Sequence, residues 1–178
     1  MQLQSKNVTK KLPEYKQVKT LIKTAFPKNE QVPTCILNHM AKKKGGKFTA
    51  YFDGEFCGFS YTIRENNTVF VLFLAVAENL RSGGYGSKIL ADLRKLYADC
   101  EIVLNVEPPV ETAENYEQRI KRIAFYERNG YFNTHRYLIK GKEEFLVLAT
   151  APTFNESAYA KILHTLSFGL YDAVLRTK

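Results

Sequence analysis

No stretch of the chain approaches the roughly 20 consecutive apolar residues needed to span a bilayer. The opening Met1-Gln2-Leu3-Gln4-Ser5-Lys6 also has no apolar segment of the signal-peptide kind. These absences leave no membrane partner and make a cytoplasmic location the expectation. Cysteine is scarce: Cys35, Cys57 and Cys100 are odd in number and far apart. None stands at metal-ligand spacing with His39, His135 or His164, which argues against a disulfide framework and against a zinc site, so no metal is expected. Cys100, at the end of an apolar pattern, reads as a small buried hydrophobe rather than a nucleophile. Low-complexity tracts, internal repeats and linker-like segments are lacking too, and the 178 residues are read as one domain, 1–178.

What is present suits an ordinary folded chain: hydrophobic residues make up 45% and charged residues 25%. With 26 basic against 18 acidic residues the net charge is +8, which favours polyanionic partners, nucleotide cofactors and nucleic acids alike. Much of the excess lies in the first 47 residues, including Lys42-Lys43-Lys44, without the interleaved aromatics that a single-strand stacking platform requires. Nucleic acid is therefore the weaker expectation.

Pro13 stands where a first helical residue is tolerated, and Tyr15, Val18, Leu21, Ile22 and Ala25 follow at helical spacing, predicting a helix that stops before Pro27. A second is predicted over 33–43, ended by Gly45-Gly46. Strands over 47–52 and 56–63 flank Asp53-Gly54, a pair able to supply the positive-φ residues of a hairpin turn. Residues 68–77 are nearly continuous in Val, Phe, Leu and Ala, the pattern of a strand covered on both faces. Helical spacing returns over 84–98, followed by a strand over 101–107, a helix over 115–128, and strands over 131–139 and 143–150. The chain is expected to close with an amphipathic helix over about 155–175 carrying Tyr159, Ile162, Leu163, Leu166, Leu170, Ala173 and Val174.

Between the apolar strand and the helix after it lies Arg81-Ser82-Gly83-Gly84-Tyr85-Gly86-Ser87. Glycines let the backbone approach a ligand, and the free N–H groups of a helix start, with its dipole, suit phosphate. The Lys-Ser/Thr pair of a Walker motif is missing, as is the third spaced glycine of the dinucleotide fingerprint, so ATP hydrolysis and NAD binding are disfavoured. Taken alone, the glycines could simply make a tight turn.

The run Val76-Ala77-Glu78-Asn79-Leu80-Arg81-Ser82-Gly83-Gly84-Tyr85-Gly86 resembles the GNAT acetyltransferase family, whose signature places Gln or Arg, two residues, Gly, one residue and Gly or Ala after a buried strand. Arg81, Gly84 and Gly86 match. Further on, Ile123-Ala124-Phe125-Tyr126-Glu127-Arg128-Asn129-Gly130-Tyr131 is similar to the family's pattern of Tyr, three residues, Gly and an aromatic. The resemblance covers about 12–150 by pattern reading. It implies an α/β fold with a mixed, mostly antiparallel sheet of six to seven strands and helices on both faces, to which the C-terminal helix read from the apolar spacing is an extra.

The resemblance further implies transfer of an acetyl group from acetyl-CoA to a primary amine. The loop, residues Arg81, Ser82, Gly83, Gly84, Tyr85, Gly86 and Ser87, would bind the pyrophosphate, and backbone groups around Leu74 and Val76 the pantetheine arm. Tyr126 would serve as general acid toward the departing thiolate. A protonated amine must also lose a proton. Glu107 is the leading candidate base: alternation puts Val103, Asn105 and Glu107 on one face, with Glu107 at the strand's carboxyl end, where open α/β sheets hold ligands. Glu78 and Glu111 are weaker rivals, and a surface carboxylate is the commoner role at a strand end. Arg119 stands seven residues before Tyr126, where the family often has a cofactor-contacting Asn, and with Arg122 it either meets a CoA phosphate or lines a solvated face. A longer acyl group, a hydroxyl acceptor, or a catalytically silent CoA sensor stay open as alternatives. The last helix is left for a partner or a second subunit in a homodimer.

Overall fold

A computed structural model describes residues 3–43, 45–169 and 174–177. Contacts divide the chain into two compact units, Met1–Ile63 with Val71–Ala98, and Arg64–Phe70 with Asp99–Lys178.

The first unit begins with a short polar strand, β1 (Gln4–Asn7), followed by helices α1 (Tyr15–Ala25) and α2 (Thr34–Lys43). Next come β2 (Gly46–Asp53), β3 (Glu55–Glu65), β4 (Thr68–Val76) and helix α3 (Tyr85–Leu96). Gly54 has φ +77° in the tight turn between β2 and β3, the left-handed conformation its sequence position calls for. Successive side chains of β3 point to opposite faces. On one face Tyr61 donates to the Leu37 carbonyl of α2 at 3.1 Å, and Phe59 meets Phe48 and Phe26 edge-on. On the other, Thr62 shares a 2.8 Å hydrogen bond with Tyr97 just past α3. Helices thus cover both faces here. Ring contacts of this geometry contribute about 0.5–1.5 kcal/mol each beyond the area they bury.

The second unit contains β5 (Glu101–Val106), α4 (Tyr116–Arg128), β6 (Phe132–Lys140), β7 (Glu143–Ala149), α5 (Glu156–Leu166) and β8 (Val174–Thr177). Glu101 accepts from the Thr68 hydroxyl at 2.6 Å and from the Asn155 N–H at 2.7 Å, while Asn155 caps α5 through Ala158 N–H. Tyr159 of α5 is fully buried against Phe70 and Phe154, with its hydroxyl on Asn105 at 2.7 Å. The strands form one mostly antiparallel sheet in the order β1-β2-β3-β4-β5-β7-β6-β8.

Two expectations are corrected. The sheet has eight strands rather than six to seven, because β1 and β8 add to its two edges. The final helix ends at Leu166 instead of near 175: Phe168 and Gly169 take positive φ values of 56° and 79°, and Gly169 N–H returns to the His164 carbonyl at 2.8 Å, closing the helix. Val174 then lies in β8, antiparallel to β6 with Leu138 opposite Leu175. Leu170 and Ala173, expected on that helix, lie outside the described residues. No described helix is long and apolar enough to cross a membrane.

Candidate active site

In the first unit, burial alternates along the end of β4: Phe73 and Ala75 are buried, whereas Leu72, Leu74 and Val76 are half-open. The face expected to carry a ligand is the less covered one. Ala77 N–H ties the strand end to the Cys57 carbonyl at 2.8 Å, and Glu78–Leu80 makes a single 3-10 turn. Arg81, Ser82, Gly83 and Gly84 follow exposed, with Ser82 at φ 64° and Gly84 at φ 77°, ψ 1°. Gly84 is the N-cap of α3 and supplies no side-chain cap; the first intrahelical bond runs from Lys88 N–H to its carbonyl at 3.1 Å. The N–H groups of Tyr85, Gly86 and Ser87 in the first turn therefore have no acceptor within the helix, and they carry the positive end of its dipole. Such a turn can bind an anionic oxygen without any basic side chain.

In the second unit, the spacing from Tyr126 to Tyr131 is that of a helix cap. Gly130 sits at φ 76°, its N–H bonds Glu127 O at 2.8 Å, and Tyr131 N–H bonds Tyr126 O at 3.1 Å. This is the Schellman arrangement, which requires a residue tolerant of positive φ four positions after Tyr126 and favours an apolar contact one position later. Tyr131 makes that contact, its ring 5.7 Å from the Tyr126 ring, while Phe125 packs at 5.1 Å on the other side. Burial pushes the Tyr126 hydroxyl above its ordinary pKa, against a smaller pull downward from the Arg122 guanidinium. The group is a neutral donor at physiological pH.

Glu107, just past β5, is gripped by α4. Its two oxygens accept from Arg119 at 2.9 Å and Arg122 at 2.8 Å, with Asn115 at 3.4 Å from both. Arg119 also donates to Asn115 Oδ1 at 2.7 Å and to the Pro108 carbonyl at 3.0 Å, so its guanidinium staples the loop after β5 to the start of α4. Arg122 is more open, 43% exposed against 18% for Arg119.

The comparisons decide what these features belong to. The profile of the acetyltransferase (GNAT) domain matches residues 44–132, half of the chain. The chain belongs to the GNAT acetyltransferase family. A solved GNAT-family structure from Bacteroides thetaiotaomicron is 25% identical over 94% of this chain and 99% of its own, with a TM-score of 0.75. An aminoglycoside 6'-N-acetyltransferase complexed with coenzyme A shares the fold at 16% identity, over 85% of this chain and 99% of its own, with a TM-score of 0.61. Arabidopsis thaliana Naa50, in complex with the bisubstrate analogue CoA-Ac-MVNAL, does so at 20% identity, 85% and 99% coverage, and a TM-score of 0.57. No curated protein matches the sequence.

In this GNAT chain the fold brings Glu107 and Arg119 together, a pairing that sequence reading treated as two separate candidates. Glu78 and Glu111 are exposed. Two contributors escaped the sequence altogether. Asn115 links Glu107 to Arg119, and Asp53, read only as a turn residue, buttresses the glycine loop: its carboxylate accepts from Tyr85 at 3.2 Å and from Lys88 at 3.4 Å, with the Lys88 ammonium 4.4 Å from the Tyr85 ring centroid. Desolvation, then the neighbouring Asp53 charge, raises the Tyr85 pKa and keeps that phenol a donor. Nothing in the spacing from residue 53 to residue 85 announces the contact.

Proposed function

We propose that the protein transfers the acetyl group of acetyl-CoA to a primary amine by direct attack. The observation that carries this reading is the set of N–H groups at the first turn of α3 that have no acceptor within the helix, presented after a left-handed Gly84 in the position where the family signature falls. The CoA complexes of fold relatives support the same donor.

The amine nitrogen attacks the thioester carbonyl, forming the C–N bond and breaking C–S, with backbone N–H groups near Val76 assigned to the oxyanion. Tyr126 is assigned to the leaving thiolate. A thiol of ordinary pKa about 8.5 is more acidic than a tyrosine whose pKa stands above about 10, so full proton transfer to sulfur runs uphill. A hydrogen bond from Tyr126 to the developing charge is the greater part of its role. Glu107 takes the amine's proton only if one of its two guanidinium contacts opens. With both closed, it orients Arg119 and Arg122, and the amine's proton passes to solvent water.

The test is acetyl-CoA titration by calorimetry, followed by release of free CoA thiol across amino acids, polyamines, aminoglycosides and peptide N-termini. Binding with amine-dependent thiol release is expected. Acetyl-CoA binding with no release for any amine would sink the transfer reading and leave a CoA sensor, whereas absence of binding would sink the loop assignment itself.

A further inference from the structure

A cavity of about 500 Å³ opens between α1 and the start of α2 in the first unit, with three lysines, Lys19, Lys23 and Lys28, around an apolar lining of Ile22, Val32 and Pro33. No acidic side chain lines it among the described residues. All three lysines are exposed, and none is in an ion pair with a described residue; Lys19 has only the Tyr15 ring, 5.9 Å away. Lys19 and Lys23 are also one helical turn apart, a like-charge placement that costs the helix stability. Three exposed lysines around an apolar lining complement a molecule with an anionic head and a short apolar body, and they repel a polycation.

The cavity is tied to the strand that ends at the glycine loop. Gln31 lines it and donates to the Phe26 carbonyl at 2.7 Å, and the Phe26 ring lies 4.7 Å from Phe73, on the buried face of β4 opposite Leu74. We propose that this cavity binds a small organic anion, a carboxylate or phosphate on a short apolar body, and that the acetyl acceptor is an amine carrying such a group. The acceptor half rests on the acetyl-transfer reading above. The binding half stands without it.

The test pairs acceptors that differ only in charge: 6-aminohexanoate with 6-aminohexanamide, and 4-aminobutyl phosphate with 4-aminobutanol. The expected result is a kcat/KM for the anionic member of at least one pair about tenfold or more above its neutral counterpart, the scale that three partly screened charges supply. The pair that shows it distinguishes carboxylate from phosphate. In a Lys19→Gln/Lys23→Gln/Lys28→Gln variant the preference disappears while the KM for acetyl-CoA holds. Equal rates within both pairs, or a preference that survives the triple variant, overturn the acceptor assignment.

If no amine is acetylated, the transfer reading has failed separately, and the cavity is read through Cys35, which lines it and is the one exposed cysteine of the three. Its modification rate by an anionic methanethiosulfonate, relative to a cationic one, is expected to fall about tenfold in the triple variant. It is also expected to slow when 6-aminohexanoate or 4-aminobutyl phosphate is present. An unchanged ratio together with no protection by either anion overturns the anion site.

Discussion

Replacing Tyr126 with Phe removes one hydroxyl and leaves its surroundings in place. The ring keeps its contacts with Phe125 and Tyr131, and the cap after α4 uses the Tyr126 carbonyl rather than its side chain. Folding stability should therefore change by less than about 1 kcal/mol, within the usual worth of a single neutral hydrogen bond. The rate should change more. A charge-assisted hydrogen bond to the departing thiolate contributes about 1.5–3 kcal/mol, which corresponds to about a ten- to hundredfold loss of rate. Complete general-acid transfer would extend the loss to about a thousandfold, but it runs uphill from a phenol whose pKa burial has raised. The lower range is thus the expected one. The assay is single-turnover release of CoA thiol with saturating amine, beside a titration of acetyl-CoA whose dissociation constant should hold. An unaltered single-turnover rate removes Tyr126 from the mechanism; a comparable loss of cofactor affinity would show that it binds rather than reacts.

A Cβ at Gly58 would run into the Ala75 carbonyl, so Gly58→Ala should destabilise by about 1–3 kcal/mol, read from urea denaturation midpoints; no loss would mean that β3 and β4 can part there freely. Burial raises Tyr61 to a pKa of about 12 and raises Tyr51 as well, so both keep their protons when unfolded tyrosines ionise near pH 10. Their contribution to stability is whole below that pH and declines as pH climbs from 10 through the folded values. Thermal melts from pH 8 to 11.5 should fall steeply only above 10, and less so in Tyr61→Phe; identical slopes in the two proteins count against the assignment. Asp53→Ala frees Tyr85 and Lys88 and should weaken acetyl-CoA binding by about two- to tenfold, the loss of one or two part-exposed contacts. Undiminished affinity in calorimetry would reduce Asp53 to a turn residue. Glu107→Gln should leave the shape of the pH–rate profile intact and lower the melting temperature through two uncompensated guanidiniums, whereas disappearance of the acid limb would establish Glu107 as the base.

Most elements were legible because their patterns are local. The apolar run of β4 and the helical spacings of α1 to α3 each report burial over a few neighbouring residues, and the Asp-Gly turn reports backbone conformation. The two edge strands were not. Gln4–Asn7 is polar and exposed along its whole length and becomes a strand only by hydrogen bonding to β2, with Gln4 opposite Phe52 and Asn7 opposite Thr49. At the other edge, the apolar helical spacing runs on past Leu166, where the helix ends. Gly169, a ready left-handed closing residue, was the available stop signal, but a pairing partner for β8 cannot be seen in four residues.

The sequence by itself determined the family, through two short motifs whose spacings are set by backbone geometry: a left-handed glycine before α3, and a glycine closing α4 beside Tyr126. Such motifs survive in one dimension because cap and turn conformations depend on adjacent residues. Which side chains meet across the fold was decided only by tertiary structure. Glu107, the candidate base, lies between Arg119 and Arg122 because the turn after β5 lays α4 alongside it. Asp53 reaches the first turn of α3 because the β2–β3 hairpin ends there. Coulombic and hydrogen-bonding partners act over a few ångströms of space, and sequence separation carries no record of them.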